Sequence, residues 1–179
     1  MAERLVVMMR GINVGGAKKV PMAELRAALT DAGCTGMSTI LATGNVILDG
    51  DDPEAAATKV EQLVLERFEV ATRCLARTAA EIDGVIAGDP FADVATNGSR
   101  YLAVFLSENL PDEVVADDGP IDLDADGVAL GDRLIYQWCP DGILAAEPIG
   151  DAVMKHTDLF VTARNWNTLL KIQARLDSN

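Results

Sequence analysis

Residues 5–32 read LVVMMRGINVGGAKKVPMAELRAALTDA, and the order of patterns in them sets the expected fold. Leu5–Met9 is an uninterrupted apolar run, the mark of a central strand. Met22, Leu25, Leu29 and Ala32 recur at helical spacing, with Pro21 opening the helix and Gly33 stopping it. Between them lies Arg10–Pro21, a glycine-rich connection. Glycine lets backbone N–H groups turn toward a ligand in conformations that a Cβ forbids. A helix start adds unpaired N–H groups and a positive dipole end, and Arg10, Lys18 and Lys19 add full charges. The stretch predicts an anion-binding loop whose candidate ligand-binding residues are Arg10, Gly11, Asn13, Gly15, Gly16, Lys18 and Lys19. It is not a P-loop: Gly11 and Gly16 have the right gap, but Ala17 replaces the lysine and no Ser or Thr follows to hold magnesium. The competing reading is a tight connection whose glycines only make the turn.

Working outward, Ser38–Ala42 predicts a second strand, Thr43-Gly44-Asn45 a turn, and Val46–Leu48 a third strand. Asp52 caps a helix with Pro53 at its first position. Val60, Leu63, Val64 and Phe68 form its buried side, and Lys59, Glu61, Glu66 and Glu69 are expected to face water. Thr72–Arg77 completes a βαββαβ order, the split arrangement of ferredoxin-like folds. There the first and second strands run parallel with the third between them. Their carboxyl ends share an edge, so the Arg10–Lys19 loop should meet the Thr43–Asn45 turn, and Asn45 joins the candidate site.

A capping box, Thr78-x-x-Glu81, opens a short helix ended by Gly88, Asp89 and Pro90. Phe91–Ser99 is the expected connection. Tyr101–Leu106 then predicts a strand, Pro111–Ala116 a short helix, Val128–Leu130 and Arg133–Cys139 a hairpin turned at Gly131-Asp132. A helix within Ile149–His156, a brief strand at Phe160-Val161 and a terminal helix from Arg164 to Leu176 finish the chain. The expected fold is α+β: tandem ferredoxin-like units with antiparallel sheets and a C-terminal helix, divided at residues 1–90 and 91–179. No residue-level repeat stands out between the halves.

Composition excludes several classes. The net charge is −13, which opposes non-specific DNA binding, since phosphate neutralisation dominates that affinity. The charge is uneven. Residues 1–30 carry five bases against two acids, while residues 108–132 carry nine acids and no base. No apolar run approaches the roughly 18 residues that span a bilayer, and no signal peptide is expected. Cys34, Cys74 and Cys139 lack C-x-x-C spacing, which points to reduced thiols in the cytoplasm and away from a zinc site. Aromatic residues are only 4%, so aliphatic side chains should dominate the packing.

The remaining motifs carry little chemistry. Asp122-Leu-Asp124-Ala-Asp126-Gly127 copies half a calcium loop, but Arg133 stands at the twelfth position, where a bidentate Glu is needed. It reads as an acidic turn. His156 has Asp158 nearby but no nucleophile, and no serine has a G-x-S-x-G context. No catalytic residue, metal or cofactor is expected, and enzymatic activity is not indicated. Arg164-Asn165-Trp166-Asn167-Thr168 follows Thr162, a candidate helix cap. Trp166 reads as a packing residue or as a flat pocket wall, with Arg164 and Asn165 as polar contacts.

RGINVGG, VPM with Leu25, the TGNV of Thr43–Val46 and RNWNT at Arg164–Thr168 resemble the bacterial domain-of-unknown-function family 1697. The resemblance implies a cytoplasmic protein with tandem ferredoxin-like architecture and no established activity. It departs at Ala163, where the family has a second threonine, and at Thr43, where serine is common. It implies that Arg10, Gly11, Asn13, Gly15, Gly16, Gly44, Asn45, Arg164, Asn165 and Trp166 are signature positions, without assigning them roles. The leading expectation is a binder of a phosphorylated small molecule or nucleotide. The alternatives are a ligand-free interaction module and an RNA-binding sheet, the last disfavoured by acidity and by a first strand without aromatics.

Overall fold

A computed structural model describes residues 2–178 of the chain. The elements run β1 (Glu3–Met9), α1 (Met22–Asp31), β2 (Ser38–Ile40), β3 (Asn45–Gly50), α2 (Pro53–Phe68), β4 (Cys74–Thr78) and α3 (Ala79–Ala87), followed by β5 (Tyr101–Leu106), α4 (Asp112–Val115), β6 (Val128–Gly131), β7 (Leu134–Trp138), α5 (Ile149–His156), β8 (Val161–Asn165) and α6 (Trp166–Leu176). Two four-stranded sheets form, in the orders β2-β3-β1-β4 and β6-β7-β5-β8, with every pairing antiparallel. The fold is therefore mixed α+β with a C-terminal helix. The chain divides into two units, one holding the described residues up to Asp83 and those from Lys171 onward, the other Gly84–Leu170.

In the first unit, β1 is central because its run is apolar on both faces. Leu5, Val7 and Met9 pack with Leu25 and Leu29 of α1 and Val60 and Val64 of α2. Val6 and Met8, alternating onto the other face, are equally buried. Because β1 and β2 both pair antiparallel with β3, they run parallel to each other. Asp52 Oδ1 accepts from the N–H groups of Glu54 and Ala55, capping α2. Glu61 is half-buried rather than fully in water: its Oε1 accepts from the Cys74 N–H at 2.6 Å and ties α2 to β4. The second strand stops at Ile40, short of the expected Ala42, because Leu41 takes φ +59° and breaks the extended run. The third begins at Asn45 and continues to Gly50, paired along its whole length with β1.

In the second unit, Val104, Leu106 and Ile135 pack against Val114, Ile149 and Val153 of α4 and α5. The opposite sheet face gathers both tyrosines, both tryptophans and Phe91 around Tyr101. The last strand is Val161–Asn165, not Phe160-Val161, and Arg164 and Asn165 are strand residues rather than helix. Pairing with β5 decides this, since Ala103 faces Arg164 and Leu102 faces Asn165. Asn165, not Thr162, caps α6 by accepting from the Thr168 N–H. The β6–β7 turn falls on Asp132-Arg133, one residue later than expected, with Arg133 at φ +48°.

The halves do share a residue-level device. β4 ends Ala76-Arg77-Thr78 and β8 ends Ala163-Arg164-Asn165. Each buried arginine donates to the carbonyl of the alanine before it, at 2.9 and 2.8 Å. Each following residue caps a helix, Thr78 by the expected reciprocal box with Glu81.

Candidate functional site

The glycine-rich loop is a small hairpin. Val14 and Ala17 bridge antiparallel, and the Asn13 N–H donates to the Lys18 carbonyl at 3.0 Å. Gly15 and Gly16 form the tip with φ +63° and +79°, the primed two-residue turn that glycine favours. These glycines make the turn, and the amides of Asn13 and Ala17 are spent on closing it. Of the backbone amides from Asn13 to Ala17, the donors expected for a phosphate, the first and the last are thus engaged within the hairpin.

The loop does meet the second connection. Asn13 Nδ2 donates to Ala42 O at 2.6 Å and to Val20 O at 2.9 Å, while its Oδ1 accepts from the Val20 N–H. Met9 N–H donates to Gly44 O at 2.8 Å. Asn45 is fully buried, and its Nδ2 donates to Ile40 O and Thr43 Oγ1. Both asparagines thus hold backbone. Arg10 is half-buried, with its N–H donating to Arg73 O and its carbonyl accepting from Thr72 Oγ1. Gly11, at φ +68°, is exposed and turns the chain out of the strand.

Between hairpin and helix lies a shallow depression of about 360 Å³ lined by Asn13, Gly16, Lys19, Pro21, Met22 and Ala42, among others. Lys18 and Lys19 are exposed. Pro21 caps α1 without any side-chain hydrogen bond, so the N-cap residue supplies no acceptor to the first amides of the helix, where the positive dipole end lies. Glu24 in the first turn offsets part of that field. Sequence reading missed Val20, Pro21, Met22 and Ala42 as wall residues. The backbone acceptor at Ala42 has no compositional signal; only the asparagine that seeks it does.

Arg164, Asn165 and Trp166 belong to the other unit. Arg164 is buried, donating to Thr162 Oγ1 at 2.9 Å and to Ala163 O. Asn165 caps α6, and Trp166 stacks on Tyr101 with centroids 4.5 Å apart. Basic charge is not confined to the N-terminal segment: residues 161–176 carry three bases and no acid. Tyr101 and Tyr136 hydrogen-bond to Asp89 Oδ1 and Val85 O. Burial first, then the Asp89 carboxylate, raises the pKa of both phenols. Burial alone raises the Cys139 thiol.

No helix is long and apolar enough to cross a membrane among the described residues. No curated protein matches the chain. The chain shares its fold with the conserved bacterial protein SP0830 from Streptococcus pneumoniae, at 22% identity and a TM-score of 0.68, over 99% of this chain and 100% of that one. A family described as protein of unknown function (DUF1697) matches residues 2–136. That span takes in the glycine-rich loop and the Thr43–Asn45 turn but ends before Arg164–Thr168. With three quarters of its length inside the match, the chain belongs to this family of proteins of unknown function.

Proposed function

We propose that the depression beside α1 binds the phosphate of a small molecule, a nucleotide or a sugar phosphate. The observation that carries this reading is the coincidence of an open concavity, an uncapped helix start and Lys19 in one wall. Helix amides and the dipole favour a compact anion there, and Lys18 and Lys19 add charge. The contact set differs from a loop nest: the hairpin tip forms a lip, and the helix start supplies the N–H donors. Asn13 and Asn45 act by holding the lip in place.

We read the chain as two ferredoxin-like units, because each sheet shows the 4-1-3-2 strand order with a helix between its first and second strands. Free thiols at Cys34, Cys74 and Cys139 fit the cytoplasm. Thermal-shift screening of nucleotides and sugar phosphates, with inorganic phosphate and pyrophosphate alongside, tests the ligand class. A stabilising hit that Lys19→Ala abolishes supports the reading; a flat panel rejects it.

One observation favours a second reading for the C-terminal motif. Buried Arg164, which donates to Thr162 Oγ1 and Ala163 O, suits a structural role rather than a pocket. Losing a buried hydrogen bond from a charged group costs roughly 1.5–3 kcal/mol. An unchanged denaturation midpoint for Arg164→Ala contradicts that role. The RNA reading gains nothing from Tyr101 and Tyr136, which are 1% and 5% exposed and offer no ring to a base.

A further inference from the structure

The two sheets end on very different outer strands. In the first unit β2 is an edge, only three residues long and ended by Leu41 at φ +59°. Short, kinked edges resist pairing with foreign strands. In the Gly84–Leu170 unit the corresponding edge is β6, and no described strand lies beyond it. It reads Val128-Ala129-Leu130-Gly131, without charge or proline, and pairs with β7 in a continuous register free of bulges. Leu130 is 44% exposed. The devices that usually guard a sheet edge are missing from this strand.

The register says which backbone groups face outward. The Trp138 N–H donates to Gly127 O at 2.7 Å. Bonding residues alternate in an antiparallel pair, so Gly127, Ala129 and Gly131 turn to β7 while Val128 and Leu130 turn away. The Val128 N–H folds back to Ala125 O at 3.1 Å. That leaves the Val128 carbonyl and both backbone groups of Leu130 on the outer edge, with the exposed Leu130 side chain beside them. An antiparallel strand laid there would exchange a pair of hydrogen bonds with Leu130 and donate another to Val128 O.

Charge selects the occupant. Exposed Asp124 and Asp126 precede the strand, and exposed Asp132 follows it. A second copy fits badly. Pairing Leu130 of each with Val128 of the other sets Asp126 against Asp132 at both ends, and like charges directly opposite are destabilising. A segment with a base at each end meets the opposite sign there, and alternate apolar residues in it would cover Leu130. We propose that the outer edge of β6 takes up an extended segment of another protein, apolar at alternate positions and basic at both ends, as a further antiparallel strand. Backbone pairing supplies the affinity, and the flanking aspartates choose the partner.

This edge belongs to the Gly84–Leu170 unit and is independent of the phosphate site. The test is fluorescence anisotropy of the full chain with labelled peptides at low ionic strength. The probes alternate valine and threonine in both registers, with lysine at both ends. The same peptides with glutamate at both ends, or with every backbone nitrogen methylated, serve as comparisons. A lysine-ended peptide should bind, its glutamate-ended form about two- to fivefold more weakly per exchanged residue, and its methylated form not at all. Hydrogen exchange at the Leu130 amide should be fast in the free chain and slowed by the peptide. Leu130→Pro removes the outward donor while keeping the bonds to β7, and should weaken binding about three- to tenfold. Should that variant fail to fold, Leu130→Lys, which sets a charge against the basic peptide, should weaken it about two- to fivefold. No binding by any lysine-ended peptide would overturn the proposal, as would equal binding of the methylated or glutamate-ended forms. Unchanged affinity in a folded Leu130 variant, or a Leu130 amide already protected in the free chain, would do the same. Sedimentation of the free chain as a dimer that Leu130→Lys dissociates would also overturn it, in favour of a second copy on this edge.

Discussion

The indole of Trp166 lies over the phenol ring of Tyr101, with centroids 4.5 Å apart and planes 19° from parallel. The first residue of α6 is thereby fastened to the first residue of β5. Trp166→Ala should lower the unfolding free energy by about 3–5 kcal/mol, the usual cost of truncating a packed aromatic, and Trp166→Phe should cost distinctly less. Urea unfolding followed by far-UV circular dichroism checks both. An Ala variant with the parent midpoint would show that the stack carries no stability.

Asn13 and Lys19 line one depression but should separate cleanly on mutation. Asn13 serves three backbone groups, so Asn13→Ala should destabilise by roughly 1–3 kcal/mol through the groups left unsatisfied. Lys19 is exposed, so Lys19→Ala should stay within about 0.5 kcal/mol of the parent while removing any phosphate response. Denaturation midpoints and ligand-induced thermal shifts, measured on the same two variants, give the comparison.

Gly44 and Gly15 both occupy positive φ, at +90° and +63°. A Cβ at Gly44 would come 2.9 Å from Met9 Cβ and Ile12 Cδ1, whereas one at Gly15 meets nothing within 4 Å. Gly15→Ala should therefore cost only the left-handed backbone term, about 1–2 kcal/mol. Gly44→Ala should cost about 1–3 kcal/mol more, from crowding in a packed core. Equal costs in denaturant would mean that the wall around Gly44 yields.

Alkaline pH should unfold the chain through groups that are held protonated. The Tyr101 and Tyr136 phenols lie above their ordinary 10.0, and the Cys139 thiol above its ordinary 9.0. The unfolded chain then loses these protons first. Their contribution is complete below the unfolded pKa values and is lost as pH rises past about 9 for the thiol and 10 for the phenols. The urea midpoint should fall over that window, and Tyr101→Phe should make the fall shallower. Absorbance at 295 nm should report phenolate only as the fold is lost; phenolate appearing in the folded chain would contradict the buried hydrogen bond to Asp89.

Much of the architecture was legible because periodicity reports burial directly. The Leu5–Met9 run marks a central strand, and Asp52, Pro53 and the Thr78–Glu81 box mark helix starts by local hydrogen bonding. The misplaced boundaries have a common cause. Arg164 and Asn165 read as helix because their neighbours are helical, but pairing with Leu102 and Ala103 of β5 outweighs local preference. The Ala-Arg device at the ends of β4 and β8 escaped notice because its residues are few and its meaning lies in backbone contacts.

The sequence by itself determined the element order, the antiparallel α+β class and the meeting of the Asn13 loop with the Thr43–Asn45 turn, since strand order follows from which runs are apolar and how the connections alternate. Only the tertiary structure decided what the polar residues do. Asn13 and Asn45 turn to backbone carbonyls that no composition encodes, and Gln137 donates across to the Glu147 carbonyl. A hydrogen-bonding side chain is specified by its partner, and its partner is chosen only when distant segments are brought together.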